Sequence, residues 1–494
     1  MKIAVCGFAP HKWVSVERTR QFYERTLSKS FDWTSNLNWK SNFSNHNLDA
    51  IINFTGRIGW NLNPRPNCPL IFALHGGPVI DYSFLAERLP RFQKNDLFIV
   101  NCKSDQAILR FLVANNNIRT AVLPLPINVS IFCPQDRVLC RLVMPFKSDY
   151  VLGFVSRVLP QKNLHAFLDI LAQVKSRLAP KTVHGVIVGN YWVDYPVLPF
   201  NTSSYPQIIK KLIDKLNLRN DITFLSGQLT SEQLAMCYGG IDVLVHPTNA
   251  IDENFGYGPI EAMACGTPVV GAAYGGLKDS ILDGVTGYLI PTWVTNNGIR
   301  MDLITAVNCI ISLLTDKKRH KMFSDFAIKH ASTTYNELTC EKILRDAIKS
   351  AVVARQSDCK PQLPLTTKRP LSGITTFSSG LPNTTPSWQY YHKPACFYVS
   401  QDRPEASKCK LFRLASPVHI KKSGCITLLD PAWPASSHLD DTELLLVKNL
   451  QSHGICSFSK LRELSAIKSI LTFVTKLQRL VDIGVVIGSK LDPL

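Results

Sequence analysis

The chain has 494 residues, 45% of them hydrophobic and 19% charged, with a formal net charge of +18. Such a length holds two to four domains with buried cores, and the composition is that of a soluble globular protein. No apolar run approaches the ~20 residues that span a bilayer, and the opening Met1-Lys2-Ile3-Ala4-Val5-Cys6-Gly7 is too short for a signal peptide, so it reads as a first β-strand and a cytoplasmic location is expected.

The fourteen cysteines include no Cys-x-x-Cys pair, which predicts buried reduced thiols and neither a zinc site nor a disulfide framework. Residues 351–494 carry 18 Lys/Arg against 10 Asp/Glu, a net +8, which leaves +10 for the front of the chain. A basic balance suits anionic membrane at the periphery, nucleic acid or phosphorylated substrates. Its even spread argues against one dedicated nucleic-acid groove.

Residues 1–145 alternate short β-rich runs with polar or helical stretches. Strands are predicted at 3–6, 50–54, 70–74, 97–101 and 120–123, and a helix at 104–113. This βα rhythm predicts a parallel sheet covered by helices. It restarts after Pro145, with strands at 150–155, 185–188, 222–225, 241–245, 269–271 and 287–290. Residues 163–176 have helical period, with Leu164, Phe167, Leu168, Leu171 and Val174 on one stripe. The expectation is an α/β chain of two Rossmann-like domains, 1–145 and 146–354, facing each other across a ligand-binding cleft. Residues 301–354 are expected to be helical and to close the second domain. A Pro/Ser/Thr/Gly-rich linker is expected at 355–393, then a small α+β unit at 394–494.

The most informative stretch is 246–270. An apolar strand enters a polar loop that carries Glu253 and turns through Gly256 and Gly258. A helix then opens with Pro259 and Glu261 and stops at Gly266. Two carboxylates eight positions apart thus flank a helix start, where unpaired N–H groups and the positive dipole end suit a phosphate. The carboxylates can accept hydrogen bonds from sugar hydroxyls, which points to a nucleotide sugar.

Several ordered pieces of residues 150–350 resemble the second half of GT-B glycosyltransferases, specifically the retaining family 4. They are Gly153-Phe154-Val155-Ser156-Arg157 running to Lys162-Asn163, Ile222 to Gly227, the Glu253-x7-Glu261 element, Gly266-Thr267-Pro268-Val269-Val270-Gly271 with Gly275-Gly276, and Asp283 to Leu289. The resemblance implies a GT-B fold and a metal-independent transferase with a nucleotide-diphosphate sugar as co-substrate. The acceptor is expected to be a saccharide or lipid-linked molecule held mainly by residues 1–145. In it Arg157 and Lys162 neutralise the leaving diphosphate, Glu261 grips the ribose, and Glu253 meets the donor sugar. Backbone N–H groups of Phe255, Gly256 and Tyr257 face phosphate and sugar, and Gly227 and Gly153 border the nucleotide. His75, after the strand at 70–74, would reach the donor sugar across the cleft, with Asn101 and Ser104 beside it. No metal site is implied, and the chain has no Asp-x-Asp.

Each role has a plainer competitor. Arg157 and Lys162 also read as solvated loop charges, Glu261 as a dipole partner, Glu253 as a solvated loop acid, and His75 as a strand-end histidine satisfied by backbone. The loop after the first strand, Gly7-Phe8-Ala9-Pro10, has one glycine where the family carries a pair, so acceptor binding there does not transfer.

The tail from 394 resembles a winged helix preceded by strands, with helices expected at 441–452, 457–464 and 469–483. Such units occur in DNA binders and in leader-peptide recognition elements, and the strand-first order leans toward the latter. The tail therefore reads as a structural or dimerising module, a peptide- or protein-docking unit that would make the enzyme peptide-modifying, or a nucleic-acid contact in an enzyme that glycosylates DNA or is regulated by it. Ser469 and Thr472 are poor base readers at a recognition-helix start.

Overall fold

A computed structural model describes residues 1–11, 14–37, 47–55, 59–63, 65–80, 85, 92–112, 118–144, 147–192, 204–227, 229–357, 388–421 and 423–491. Two parallel six-stranded sheets dominate it. The first contains β1 (Lys2–Cys6), β2 (Asp32–Thr34), β3 (Ala50–Asn53), β4 (Leu70–Ala73), β5 (Leu97–Val100) and β6 (Arg119–Val122), in spatial order β2-β1-β3-β4-β5-β6. The second contains β7 (Tyr150–Val155), β8 (Val183–Val188), β9 (Ile222–Leu225), β10 (Val243–His246), β11 (Val269–Ala272) and β12 (Gly287–Ile290), in order β12-β11-β10-β7-β8-β9. The inner strands β3, β4 and β5 are buried at every position. Helices cover both faces of such a sheet, so its strands read as continuous apolar runs rather than alternating ones.

In each sheet the chain adds strands outward in one direction and then returns to the other side of its first strand. That reversal opens a crevice between β1 and β3 in the first sheet and between β7 and β10 in the second. Ligands of open α/β sheets bind at such switch points, beyond the carboxyl ends of the strands. The loops that follow β7 and β10 hold Arg157, Lys162 and Glu253.

The helix Leu303–Thr315 packs on the second sheet, and Lys317–Thr334 packs on the helix Tyr257–Ala264 of the same domain. The last helix of that run, Glu337–Ser357, crosses back instead. It buries Cys340, Leu344, Ile348, Ala351 and Val352 in one core with Ile3, Val5, Phe22, Leu27 and Ile52 of the first domain. Lys29 Nζ pairs with Glu341 at 2.6 Å along the same seam. The expectation that 301–354 closes the second domain is corrected here. A stripe at four-residue spacing shows that a helix has an apolar face and does not say which core receives it.

Sequence periodicity also missed the helix Val14–Ser30 and the hairpin of β13 (Thr292–Thr295) and β14 (Gly298–Met301). Residues 358–387 of the expected linker lie outside the described residues. Its end, 388–393, belongs to a helix, Trp388–Ala395, whose Tyr391 is fully buried.

The tail has its own core. β15 (Leu411–Leu414) pairs antiparallel with β19 (Cys456–Ser457) and β20 (Val486–Ser489), while β16 (Val418–Ile420), β17 (Cys425–Leu428) and β18 (Ala435–His438) form a second sheet. Helices Asp441–His453, Phe458–Ser465 and Ile470–Asp482 bury Leu446, Leu450, Leu461, Phe473, Leu477 and Leu480 against it. The unit is nonetheless joined to the second domain. Ala432 and Trp433 enter the main core, and the buried Arg300 donates to the carbonyls of Gly484 and Trp433 and faces Asp430 at 3.5 Å. The thirteen described cysteines are all unpaired thiols, most of them buried.

Candidate active site

The site begins with two loops zipped together. Asn249 N–H donates to the carbonyl of Gln161 at 2.9 Å, and Asn163 Nδ2 donates to the carbonyl of Pro247 at 2.8 Å. Asn163 sits in the left-handed region, where asparagine is better tolerated than most residues, and it starts the helix Leu164–Leu178. This tie fixes the 3-10 turn Pro160–Lys162, so the Lys162 ammonium meets the Glu253 carboxylate directly. Both groups are buried. His246, the last residue of β10, faces the same carboxylate with Nε2 at 3.5 Å. Burial alone would raise the Glu253 carboxyl, but Lys162 and His246 together hold it far below the usual carboxylate range.

The Glu253 loop is braced from behind by Gly275-Gly276. A Cβ on Gly275 would lie 1.8 Å from the Glu253 carbonyl oxygen, and one on Gly276 would lie 2.2 Å from that of Asn254. Gly276 N–H donates to the Glu253 carbonyl at 3.0 Å. Only glycine allows two backbones to approach so closely. Gly256, at φ +85°, then turns the chain into the helix Tyr257–Ala264. Its N-cap, Gly256, makes no side-chain cap, so among the described residues the first turn keeps N–H groups at the positive dipole end uncapped. Gly258 abuts the end of β7, where an added Cβ would meet the Val155 carbonyl at 3.2 Å.

Glu261 is buried one turn into this helix. One carboxylate oxygen accepts from Arg18 Nη1 at 2.8 Å and the other from the Tyr238 hydroxyl at 3.2 Å. Burial raises its pKa and Arg18 opposes that shift. Arg18 comes from the first domain, is partly exposed, and also lies over the Tyr257 ring at 5.7 Å. The ribose-binding carboxylate expected from sequence therefore holds an inter-domain ion pair. Its partners, Arg18 and Tyr238, are ones the sequence reading missed.

The other predicted residues fall into two groups. Phe255 and Tyr257 lie at the helix start, with rings 5.0 Å apart, edge to face. Gly227 has open space where a side chain would be and is held by Asn190 Oδ1, which accepts its N–H at 2.9 Å; this forms the rim beyond β9. Arg157 is exposed and stacks over Trp192 at 4.3 Å. Gly153 is not at the crevice. It lies inside β7, where a Cβ would strike Ile241 at 2.4 Å, so its role is strand packing.

His75 stands at the end of β4, in the wall formed by the first domain. Asn101 Oδ1 can only accept, so His75 Nδ1 donates to it at 2.7 Å, and Nε2 is left to accept from the Tyr23 hydroxyl at 3.0 Å. Desolvation lowers the His75 pKa to about 4. Both nitrogens are thus satisfied by protein, and the partners are side chains where the plainer sequence reading has backbone. Asn101 is this histidine's orienting partner and also donates to its carbonyl at 3.2 Å. Ser104 is buried in the helix Lys103–Leu112. The neighbour that sequence reading overlooked is Asp105, whose carboxylate accepts from Asn254 Nδ2 at 3.2 Å and which burial pushes up to about 7.

Residues 144–330 match the family model described as glycosyl transferases group 1. The second lobe is a group 1 glycosyltransferase domain. A D-inositol 3-phosphate glycosyltransferase of Segniliparus rotundus is 26% identical over 316 residues, 61% of this chain and 66% of the relative. Another, from Mycobacteroides abscessus, is 29% identical over 304 residues, 59% and 62% of the two chains. The chain thus spans just under two thirds of the relatives it matches. Among solved structures, sucrose-phosphate synthase from Thermosynechococcus elongatus shares 20% identity with a TM-score of 0.56, covering 72% of this chain and 99% of that one. Anabaena Alr3699/HepE in complex with UDP-glucose shares 20% identity with a TM-score of 0.53, covering 71% of this chain and 100% of that one. These likenesses establish the two-domain GT-B-like fold in which the group 1 domain forms the second half.

Proposed function

We propose that the chain is a retaining hexosyltransferase that moves a sugar from a nucleoside-diphosphate donor to a hydroxyl of a saccharide or lipid-linked acceptor. The observation that carries this reading is the buried Lys162–Glu253 pair beside an uncapped helix start, with Glu261 one turn further on. The diphosphate would lie on the N–H groups of the first helical turn, and its ribose on Glu261 after Arg18 swings away. Lys162 and Arg157 would take up the charge that grows on the leaving diphosphate, so the proposal assigns that task to side chains and not to a metal. Glu253, held ionised by Lys162, would accept from a sugar hydroxyl and steady positive charge at the anomeric carbon.

In this scheme the acceptor oxygen bonds to the anomeric carbon on the face from which the diphosphate oxygen departs. The acceptor proton passes to a phosphate oxygen. His75, neutral and already paired, serves as a wall of the sugar pocket through Tyr23 and Asn101 rather than as a base. The names of the relatives favour a small polar acceptor such as a polyol phosphate. We assign the winged-helix-like tail an assembly role, because Ala432 and Trp433 enter the second domain's core and Arg300 of that domain donates to the Trp433 carbonyl.

The test is a thermal-shift series with uridine, guanosine and adenosine diphosphates and their glucose conjugates. A ligand of the native state raises the melting temperature by mass action. Glu261→Ala should abolish the response to nucleotide, and Glu253→Ala should lose the extra response to the sugar alone. Equal responses in wild type and both variants would refute the assignment.

A further inference from the structure

The segment that follows the undescribed stretch 358–387 does not lead away to the tail directly. Residues 388–400 first run across the seam between the two domains, on the side of the Glu253 loop. Tyr398 is fully buried there. Its hydroxyl donates to Asp105 of the first domain, and its carbonyl accepts the N–H of Gly275 of the second domain at 2.8 Å. Its ring lies 5.3 Å from that of Tyr274. On either side, Lys278 Nζ donates to the carbonyls of Phe397 at 3.2 Å and Val399 at 2.9 Å. Phe397 meets Phe111 of the first domain with ring centroids 5.1 Å apart.

The glycine that Tyr398 holds is the one braced against Glu253. A Cβ on Gly275 would meet the Glu253 carbonyl and, at 2.8 Å, the Tyr398 ring. Asn254, next in the loop, donates both to Asp105 and to the His75 carbonyl at 3.1 Å. One buried phenol therefore links a first-domain carboxylate to the loop that carries Glu253. Asn254, inside the group 1 domain, ties the same loop to the same carboxylate, and Tyr398 adds a second tie from outside residues 144–330.

We propose that residues 388–400 form an inter-domain staple, and that Tyr398 is a positioning residue that sets both the spacing of the two lobes and the placement of the Glu253 loop. The staple stands on its contacts alone; its effect on turnover rests on the transferase reading above. Donor entry would then require the lobes to separate against this tie, so the staple trades ease of opening for a preformed sugar pocket.

The experiment uses the full chain and two variants, Tyr398→Phe, which removes only the hydroxyl, and Lys278→Met, which removes the grip on the flanking carbonyls. Hydrogen exchange without ligand is read at peptides covering 103–112, 274–279 and 396–400. Loss of a buried hydrogen bond to a charged group should speed exchange there by roughly tenfold, while the outer strands β8 and β9 stay unchanged. Small-angle scattering should show a wider molecule for both variants. With UDP-glucose as donor, KM should rise more than kcat falls, because the pocket must be reassembled at each binding event. Unaltered exchange at all three peptides in both variants would overturn the staple. Altered exchange with UDP-glucose turnover absent even in wild type would uphold the staple and count against the transferase reading only.

Discussion

A single side chain shows how far residue type carries and where geometry takes over. His75 was legible as a strand-end residue because it directly follows an apolar run. Its partners were not legible, since Tyr23 and Asn101 lie 52 and 26 positions away. Those partners decide its chemistry. Desolvation lowers its pKa from 6.5 to about 4, so the unfolded chain binds the proton more readily than the folded one between those values. Stability from this group is complete above about pH 6.5 and is lost as pH falls toward 4. The loss amounts to up to about 3 kcal/mol. His75→Gln should therefore flatten the acid limb of a urea-denaturation series between pH 6.5 and 4, measured as the difference from wild type. The difference curve isolates this group from Asp105, whose raised pKa acts in the opposite direction over the same range. Parallel pH curves for the two proteins would show that His75 is not buried neutral. Lys162 and Glu253 teach the same lesson. Their residue types suggested two separate contacts to a donor, whereas the fold makes them one buried pair.

At the scale of elements, the second sheet and the Glu253–Glu261 turn were readable because their signals are local. Apolar runs gave the strands, and Gly256, Pro259 and Gly266 marked the start and end of one helix. The helix Val14–Ser30 escapes periodicity because its mean character is polar, with Arg, Glu, Ser, Thr, Gln and Lys on most positions and only Phe22, Tyr23 and Leu27 as large buried apolar anchors. That omission hid Arg18, the residue that pairs with Glu261. The pair Gly275-Gly276 was noticed for its place in a pattern; the structure supplies the reason, which is backbone crowding against Glu253 and Asn254. Gly276→Ala should push this loop away and cost about 2 kcal/mol or more, comparable to an overpacked core position. A melting curve should show the loss, and the response to nucleoside-diphosphate glucose should shrink more than the response to free diphosphate. An alanine variant with wild-type melting and full sugar response would mean that the loop tolerates the displacement.

Across the whole molecule, the two Rossmann-like lobes were legible and their joinery was not. The helix Glu337–Ser357 and the segment 388–400 both cross between lobes, and sequence patterns do not record which distant surface receives an apolar face. The tail is correspondingly less separable than a linker-tethered module. Deleting 388–494 would uncover the partners of Tyr391, Ala395, Tyr398, Ala432 and Trp433 in the main core and leave Arg300 without Asp430. The truncated chain should lose roughly 10 °C or more in melting temperature, since several buried aromatic contacts go at once. An unchanged melting temperature would restore the picture of an independent tail. The central claim is that a nucleotide sugar binds where β7 and β10 diverge, with its diphosphate on the first turn of the helix Tyr257–Ala264. A crystal structure with uridine diphosphate bound tests it most directly. The account predicts phosphate oxygens within hydrogen-bond distance of the Tyr257 and Gly258 amides, Lys162 turned toward them, and ribose hydroxyls on Glu261 where Arg18 now sits. Nucleotide bound elsewhere, or bound with the Arg18–Glu261 pair intact, would contradict it.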